Sequence, residues 1–433
     1  MTHEEWNEKD REFIIRGWGS NAEPTVIAGG KGAKVFDTDG REYIDCSSGL
    51  FVNCVGYSHP GIVGAIKDQA DKLIHTCMRQ SHVPAIQLAE RVAGICPGGL
   101  SKSYYCTGGT EAIEVAMKMA KRFTGKIEMV ALKNAYHGLS LGALTLTSAA
   151  GYRSGIGPLM WGVLRIPNTY CYRCHLNREN CDLWCAREFE RLFSDQAVST
   201  SHTNSIAAIV VELVQGSGGI GVPEGWTNIV RKACDKHGVL MIVDEIQTGL
   251  GRTGKMLCCN HYGLTPDIIT LAKGVGGGIP LGMAVTTDAI AAKLSTGTTP
   301  TSAGNAVACA AGMAFIDALE KEHLCENAVK MGAYFTDKLN ELIPEKYVGE
   351  IRFKGLMGGI ELVKDRKTKE PFDKKVMGKM KSLMLEKGVI ISESGPLGNV
   401  LRIQPPLVVT TDEADLVTRS IASTISEVES EIG

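Results

Sequence analysis

Two short apolar runs, each followed closely by a polar residue, place the strongest constraint on how this chain can fold. Val239–Val243 is followed directly by Asp244, and Ile268–Leu271 is followed two residues later by Lys273. Uninterrupted runs of this length are typical of parallel strands that helices cover on both faces. Because ligands bind at the carboxyl ends of such strands, we expect Asp244 and Lys273 to converge in one crevice. A lysine that is partly desolvated there can lose its proton and act as an amine nucleophile.

Other apolar runs alternate with helical patterns between Tyr104 and about residue 290. Met129–Leu132 and Ile206–Leu213 are predicted strands of the same kind as the two above. This alternation favours βα units and an α/β fold with one large, mostly parallel sheet. The remaining predicted elements are a hairpin at Asp39-Gly40, helices over 61–75 and 84–95, and a strand over 355–362.

Composition and charge indicate a globular protein that acts on small molecules. The 433 residues are 44% hydrophobic and 22% charged, and the net charge of −2 offers no electrostatic footprint for nucleic acid or an anionic membrane. The charged N-terminus lacks the apolar core of a secretory signal, and no run approaches the roughly eighteen apolar residues of a membrane span. We therefore expect a cytoplasmic protein with no nucleic-acid or membrane partner.

Most of the 14 cysteines lie singly among apolar neighbours and are predicted to be buried, as at Cys46, Cys54, Cys234 and Cys309.

Taken singly, Asp244 could be a helix N-cap and Lys273 a solvated charge. Together, Asp244-Glu-Ile-Gln247-Thr-Gly-Leu-Gly-Arg252-Thr-Gly and Leu271-Ala-Lys273-Gly resemble the signature of the class III, or ω-type, aminotransferases, which use pyridoxal phosphate. The resemblance extends over about residues 20 to 425 and is nearest to the dialkylglycine decarboxylases and the pyruvate-dependent ω-aminotransferases.

This resemblance implies a fold type I architecture with two domains. The expected large cofactor domain, residues 61–320, contains a mostly parallel, seven-stranded sheet. A small α+β domain is expected from both ends of the chain, residues 1–60 and 321–433. The family also implies a homodimer with its active sites at the subunit interface, and leaves a tetramer open.

The same resemblance assigns roles around the cofactor ring. Lys273 would form the Schiff base and then move the substrate proton, while Asp244 would pair with the ring nitrogen. Gln247 is expected near the ring hydroxyl. Tyr136 and His137 match the family's aromatic-His-Gly motif, in which the aromatic side chain stacks on the ring.

The phosphate group is expected at the start of a helix. Gly109 and Thr110 open a helical pattern, and free backbone N–H groups at such a position bind phosphate. Thr107 and Gly108 depart from the residues usual in this family, so only the backbone contacts at Gly109 and Thr110 are expected. By resemblance, Thr301 would reach across the dimer to the phosphate of the other subunit.

Two more charged residues match family positions. Glu212 follows an apolar run, and a glutamate buried there needs a partner such as an arginine. Arg402 matches the arginine that grips a substrate carboxylate through two parallel hydrogen bonds.

Departures from the family pattern bear on the substrate. Leu50 stands where the dialkylglycine decarboxylases have a glutamine that assists loss of carbon dioxide, which disfavours decarboxylation. Leu139 stands where the enzymes for acetylornithine and 4-aminobutyrate have an arginine for the distal carboxylate of 2-oxoglutarate. A small oxo acid such as pyruvate is therefore the expected acceptor. Leu50 and Phe51 are predicted either to line an apolar substrate pocket or to serve packing alone.

A cysteine-rich segment falls outside the family pattern. Cys171, Cys174, Cys181 and Cys185 lie within 15 residues, and His175 lies among them. A thiolate metal site, free thiols and redox-labile pairs all remain open for this segment, and the predicted reaction requires no metal.

The sequence thus predicts a pyridoxal phosphate enzyme that transfers an amino group from an amine or amino acid to a small oxo acid. One alternative is a lyase on the same scaffold that acts on an amino-alcohol phosphate or an aminophosphonate, or else a racemase or decarboxylase. Another is a binding protein without catalytic activity, which an intact Lys273 and Asp244 disfavour.

Overall fold

The structure is a computed structural model that describes residues 1–17, 25–174, 176, 181–194, 205–294 and 300–431. Its strands are β1 (Ile27–Lys31), β2 (Lys34–Asp37), β3 (Glu42–Asp45), β4 (Lys102–Cys106), β5 (Glu128–Leu132), β6 (Val163–Ile166), β7 (Ile206–Val211), β8 (Val214–Gln215), β9 (Ile220–Gly221), β10 (Leu240–Asp244), β11 (Ile268–Leu271), β12 (Gly282–Thr286), β13 (Val348–Lys354), β14 (Met357–Asp365), β15 (Glu370–Pro371), β16 (Val389–Ile390), β17 (Ser392–Ser394) and β18 (Val400–Ile403).

The helices are α1 (His3–Phe13), α2 (Ser48–Phe51), α3 (Pro60–Ala70), α4 (Val83–Ile95), α5 (Gly109–Thr124), α6 (Leu141–Leu146), α7 (Ala150–Arg153), α8 (Trp184–Ser194), α9 (Trp226–His237), α10 (Asp288–Ala291), α11 (Ala306–Lys321), α12 (Leu324–Leu342), α13 (Lys374–Glu386) and α14 (Thr411–Val428). Within the described ranges, no helix combines the length and apolar character needed to cross a membrane.

The central sheet has seven strands in the order β4-β12-β11-β10-β7-β5-β6. All neighbours pair in parallel except β12, which runs antiparallel to both β4 and β11. Every residue of β7, β10 and β11 is buried, which explains why these strands read as continuous apolar runs. The predicted α/β fold with a mostly parallel seven-stranded sheet is confirmed.

Smaller sheets bring the two ends of the chain together. β1, β2 and β3 form an antiparallel set that includes the predicted hairpin, and β16 from the C-terminal region pairs in parallel with β3. β13, β14, β18 and β17 form another antiparallel sheet, and β15 pairs with β14. The four cysteines predicted to be buried, Cys46, Cys54, Cys234 and Cys309, are all buried.

A fully buried arginine, Arg252, joins these parts of the structure. Its Nη1 donates hydrogen bonds to the carbonyls of Leu356 at 3.1 Å and Pro405 at 2.6 Å. Its Nη2 lies 3.5 Å from Ser48 Oγ and 3.4 Å from Cys54 Sγ. The guanidinium group thus ties the loop after β10 to α2, to the start of β14 and to the segment after β18.

Replacing this arginine should destabilise the protein. We expect Arg252→Met to lower the free energy of unfolding by about 3 kcal/mol, because two buried carbonyls lose their charged donor. The matched control is Arg419→Met, since Arg419 has a 69% exposed side chain 4.0 Å from Asp415 and should change stability by less than about 0.5 kcal/mol. Urea denaturation checks both variants, and equal midpoints for the two would contradict this role of Arg252.

Candidate active site

A cavity of about 450 Å³ opens at the carboxyl edge of β10 and β11, where the sequence predicts the site. Asp244 is the last residue of β10, and Lys273 follows β11 by two residues. Both line the cavity, so the expected convergence is observed. The other lining residues include Thr107, Gly108, Gly109, Thr110, Tyr136, His137, Gly138, Leu139, Glu212, Gln247 and the segment Gly278–Leu281.

The side chain of Lys273 is held in a desolvated position. Its Nζ donates a hydrogen bond to Gln247 Oε1 at 3.2 Å. Burial lowers its pKa from 10.5 to about 8, against the opposing effect of the nearby carboxylates of Asp244 and Glu212. The backbone of Lys273 has φ +50°, a left-handed conformation that is uncommon for a lysine and typical of functional sites. A neutral amine is therefore accessible near neutral pH.

Asp244 forms a buried pair with His137. Asp244 Oδ2 accepts a hydrogen bond from His137 Nδ1 at 2.7 Å, and Oδ1 accepts one from the backbone N–H of Ile246 at 3.0 Å. The backbone N–H of His137 donates to Thr147 Oγ1 at 2.9 Å. With Oδ2 of Asp244 as the acceptor, Nδ1 of His137 is the donor, and this bond fixes the orientation of both side chains.

Glu212 is buried and has hydrogen-bond partners, as the sequence predicts, but within the described residues none of these partners is an arginine. Instead, its two oxygens accept hydrogen bonds from the backbone N–H groups of Tyr136 at 3.0 Å and Gly216 at 2.9 Å. Burial raises the pKa of Glu212, and the neighbouring His137 opposes that shift. Tyr136 lies in the loop after β5, and Gly216 lies directly after β8. The fold brings the backbone N–H groups of both residues to Glu212, and the sequence does not display this proximity.

The start of α5 forms a cradle for an anion. Gly109 is the first residue of the helix, and its neighbour Gly108 has an extended backbone. A Cβ on Gly138, which has φ +127°, would lie 2.4 Å from Thr110 Oγ1, so only glycine permits this approach. Thr107 donates both its N–H, at 2.6 Å, and its hydroxyl, at 2.8 Å, to Glu111 Oε2. The Thr107 side chain is therefore already engaged, as its departure from the family pattern suggests.

Arg402 lies on β18 above the ring of Phe51, with its Cζ 4.3 Å from the ring centroid. Its Nε donates to Ser392 Oγ at 3.1 Å, and its Nη1 lies 3.4 Å from the carbonyl of Gly216. Burial lowers its pKa to about 10. Within the described part of the chain Arg402 forms no ion pair, so the guanidinium group retains capacity for a carboxylate ligand.

Phe51 belongs to a left-handed helical turn. Ser48, Gly49, Leu50 and Phe51 have φ between +46° and +69°. Left-handed conformations cost roughly 1–2 kcal/mol for each residue with a Cβ. Asp45 holds the turn by accepting hydrogen bonds from the N–H groups of Ser47 and Gly49, both at 2.7 Å.

This turn places Phe51 under both cationic side chains of the site. The Nζ of Lys273 lies 5.7 Å from the centroid of the Phe51 ring. Phe51 is 5% exposed, whereas Leu50 is 53% exposed. Only Phe51 of the predicted apolar pair is therefore buried at the site.

Other predicted residues lie at the margin of the cavity or away from it. Leu139 lines the cavity and is 51% exposed at its mouth. Thr301 is exposed and does not line the cavity of its own chain. Cys171 belongs to a 3₁₀ turn and Cys185 to α8, and His175 lies outside the described residues. No set of three or more His, Cys, Asp or Glu in the described ranges could hold a metal ion.

Sequence reasoning missed several residues at the site. Gly278–Leu281 forms part of the cavity wall, and the preceding glycine-rich stretch after Lys273 was a usable signal. Gln404 is buried and accepts a hydrogen bond from Gln247 Nε2 at 2.8 Å. No local pattern distinguishes Gln404, since its partner lies 157 positions away.

Comparison with known proteins agrees with this geometry. The family model for class III aminotransferases matches residues 18–425. The acetylornithine aminotransferase of Methanosarcina mazei is 37% identical over 95% of this chain and 93% of its own length. The adenosylmethionine-8-amino-7-oxononanoate aminotransferase of Geobacter sulfurreducens is 36% identical over 94% and 93%, respectively. An (S)-enantioselective ω-transaminase from Thermomicrobium roseum has a structure with a TM-score of 0.91, 31% identity and 99% coverage of both chains.

The chain therefore belongs to the class III aminotransferase family, whose members are pyridoxal phosphate-dependent enzymes of fold type I. The chemistry of the cavity fits that cofactor. The α5 N-terminus suits a phosphate group, the Asp244 carboxylate suits a protonated ring nitrogen, and the amine of Lys273 suits an aldehyde.

The desolvation of Lys273 should appear as a pH-dependent stability effect. Between pH 8 and 10.5 the unfolded chain binds a proton at Lys273 that the folded, cofactor-free protein does not, so stability rises with pH in this window. The destabilisation is fully present below pH 8. We therefore expect Lys273→Met to raise the urea midpoint of the cofactor-free protein at pH 7, and this gain to vanish by about pH 10.5.

The control for this measurement is Lys321→Met, because Lys321 has a 74% exposed side chain. That variant should show no gain at pH 7. If the effect of Lys273→Met were the same at pH 7 and pH 10.5, desolvation of the lysine would not be its cause.

Proposed function

We propose that this protein is an aminotransferase that moves an amino group from an amine or amino acid to a small 2-oxo acid such as pyruvate. The observation that carries the choice of acceptor is the apolar side chain of Leu139 in the cavity wall. Arg402 is available for one carboxylate. Lys273 is the only lysine or arginine among the described lining residues, and Arg402 lies outside that lining. With Lys273 engaged by the cofactor and Arg402 by one carboxylate, a second carboxylate would lack an ammonium or guanidinium partner.

Different residues of the site would bind different parts of the cofactor. The N–H groups of Gly109 and Thr110 would bind the phosphate group, and Tyr136 would stack on the ring. Asp244, oriented by His137, would keep the ring nitrogen protonated. When bound, pyridoxal phosphate accepts the electron pair that remains on the substrate carbon once its proton is removed.

The remaining residues act on the substrate. Lys273 would bind the cofactor aldehyde in the resting enzyme and, once released as a free amine, carry the proton away from the substrate carbon. Its lowered pKa makes the neutral amine available near pH 8. Arg402 would fix the substrate carboxylate, and Phe51 would exclude water beneath it.

The assignment predicts a measurable acceptor preference. With a panel of amino acids and primary amines as donors, we expect kcat/KM for pyruvate to exceed that for 2-oxoglutarate by about tenfold or more, because the distal carboxylate would be desolvated without a partner. Lys273→Ala should lower turnover by at least about a thousandfold. Chromatographic measurement of the alanine and glutamate formed checks both expectations.

A matched pair of variants tests the role of Leu139. Leu139→Arg should raise kcat/KM for 2-oxoglutarate, whereas Leu416→Arg, on α14 and 40% exposed, should not. A wild-type preference for 2-oxoglutarate would overturn the acceptor assignment. Release of ammonia or phosphate from the donor, without consumption of either oxo acid, would instead identify a lyase.

We further propose that the active enzyme is a homodimer with its sites at the interface. Leu139, Leu141, Met160 and Trp161 are between 46% and 76% exposed. The backbone N–H of Met160 donates to Thr145 Oγ1 on α6, the helix that begins at Leu141, so the exposed apolar residues at 139–141 and 160–161 belong to neighbouring segments. Apolar regions of this kind mark protein interfaces. A second copy of the chain would cover this region and would bring its Thr301 toward the phosphate site.

Subunit complementation tests this arrangement. Thr301→Ala alone should weaken cofactor binding, and Lys273→Ala alone should be inactive. A mixed dimer of the two variants contains one site with both native residues if Thr301 acts in the other subunit, so activity at limiting cofactor should recover to about half of the wild-type value. No recovery in a dimer confirmed by sedimentation would place Thr301 in its own subunit's site, and a monomeric active enzyme would contradict the dimer.

A further inference from the structure

Gln404 connects three parts of the active site. It lies two residues after Arg402, and its side chain is fully buried. Its backbone N–H donates to the carbonyl of Cys46 at 2.8 Å, and its own carbonyl accepts from Ser48 Oγ at 2.5 Å. Its side-chain Oε1 accepts a hydrogen bond from Gln247 Nε2 at 2.8 Å. The residue is therefore fixed by its backbone to the left-handed turn, and by its side chain to the glutamine beside Lys273.

Two hydrogen bonds connect Lys273 to Gln404 through Gln247, and in each of them the donor is the residue nearer to Lys273. Lys273 Nζ donates to Gln247 Oε1 at 3.2 Å, and Gln247 Nε2 donates to Gln404 Oε1. A lysine ammonium group can only donate, so Gln247 must present its oxygen to Lys273 and its NH₂ group to Gln404. With Gln404 Oε1 as acceptor, this orientation gives both polar atoms of the Gln247 amide a partner, whereas Gln404 Nε2 has no hydrogen-bond partner among the described residues.

The orientation of this amide matters for the reactivity of the lysine. With Oε1 facing Lys273, an N–H of the neutral amine is engaged and its lone pair stays available. With the amide reversed, Gln247 Nε2 would donate to that lone pair and block it. A Cβ on Gly216 would lie 2.2 Å from Gln247 Oε1, so the amide sits against the backbone whose carbonyl contacts Arg402.

We propose that Gln404 is a positioning residue that fixes the orientation of the Gln247 amide and thereby keeps the lone pair of Lys273 available for reaction. This inference rests on the proposed role of Lys273 as the reacting amine. Gln404 acts through Gln247 and makes no contact with the reacting atoms.

The test measures the reactivity of Lys273 in the cofactor-free protein. Trinitrobenzenesulfonate labels neutral amines, and mass spectrometry of the peptide that contains Lys273 reports the labelling rate as a function of pH. Gln404→Met removes the acceptor, and we expect a fall of about fivefold to tenfold in the limiting rate at high pH. Its apparent pKa should also move below the wild-type value, because the ammonium form loses a well-oriented acceptor.

Gln404→Glu keeps an acceptor for Gln247 and adds a negative charge. It should retain the limiting rate and move the apparent pKa upward. Opposite shifts in two variants at one position distinguish a positioning role from general loss of structure, which thermal unfolding monitors in parallel. Gln87→Met, on the exposed face of α4, is the control for loss of an amide and should leave labelling unchanged.

A double-mutant cycle tests whether Gln404 affects Lys273 through Gln247. In a Gln247→Met background, Gln404→Met should cause no further change, because the amide that it orients is absent. Additive effects of the two substitutions, or a wild-type profile in Gln404→Met, would overturn the inference. If the peptide that contains Lys273 were unreactive in the wild-type protein, the proposed role of Lys273 itself would fail, which is a separate outcome.

Discussion

The buried guanidinium group of Arg252 is the interaction on which the rest of the active site depends. It donates to the segments at Leu356 and Pro405 and contacts Ser48 in the left-handed turn. Each of these segments leads directly to a part of the site, and none is close to the others in sequence. Because the carbonyls it serves are buried and cannot be solvated, the guanidinium group fixes their separation. The contacts of Arg252 therefore fix the positions of Arg402 and Phe51, which lie in two of these segments.

The charged groups of the cavity are stabilised in different ways at one edge of the sheet. Asp244 is paired with His137, and Glu212 is held by two backbone N–H groups, so both buried carboxylates have donors. The hydrogen-bond partner of Lys273 among the described residues is the neutral amide of Gln247, and burial lowers the pKa of Lys273 to about 8. The hydrogen-bond donors thus satisfy the two buried carboxylates. Burial in the same low-polarity site leaves the amine of Lys273 able to lose its proton.

The substrate side of the cavity depends on strained backbone. Ser48, Leu50 and Phe51 occupy the left-handed region, and Asp45 anchors the turn through two backbone N–H groups. The conformation places the ring of Phe51 within 4.3 Å of Arg402 Cζ and 5.7 Å of Lys273 Nζ. Strain of this kind persists where surrounding contacts over-determine it, and it is common at ligand sites. The proposed preference for a small oxo acid rests on the apolar Leu139 in the cavity wall.

The α/β class, the central strands and the convergence of Asp244 with Lys273 could all be predicted from the amino-acid sequence. Local patterns are sufficient for these predictions. An apolar run of strand length indicates a buried parallel strand, and the residues that follow neighbouring parallel strands lie at the same edge of the sheet. The tertiary structure decided that backbone N–H groups, not an arginine, satisfy Glu212, and that Phe51 is buried while Leu50 is exposed. It also decided the partner of Gln247, since Gln404 lies 157 positions away. Such contacts join segments that only the packed fold brings within hydrogen-bond distance, so no local pattern encodes them.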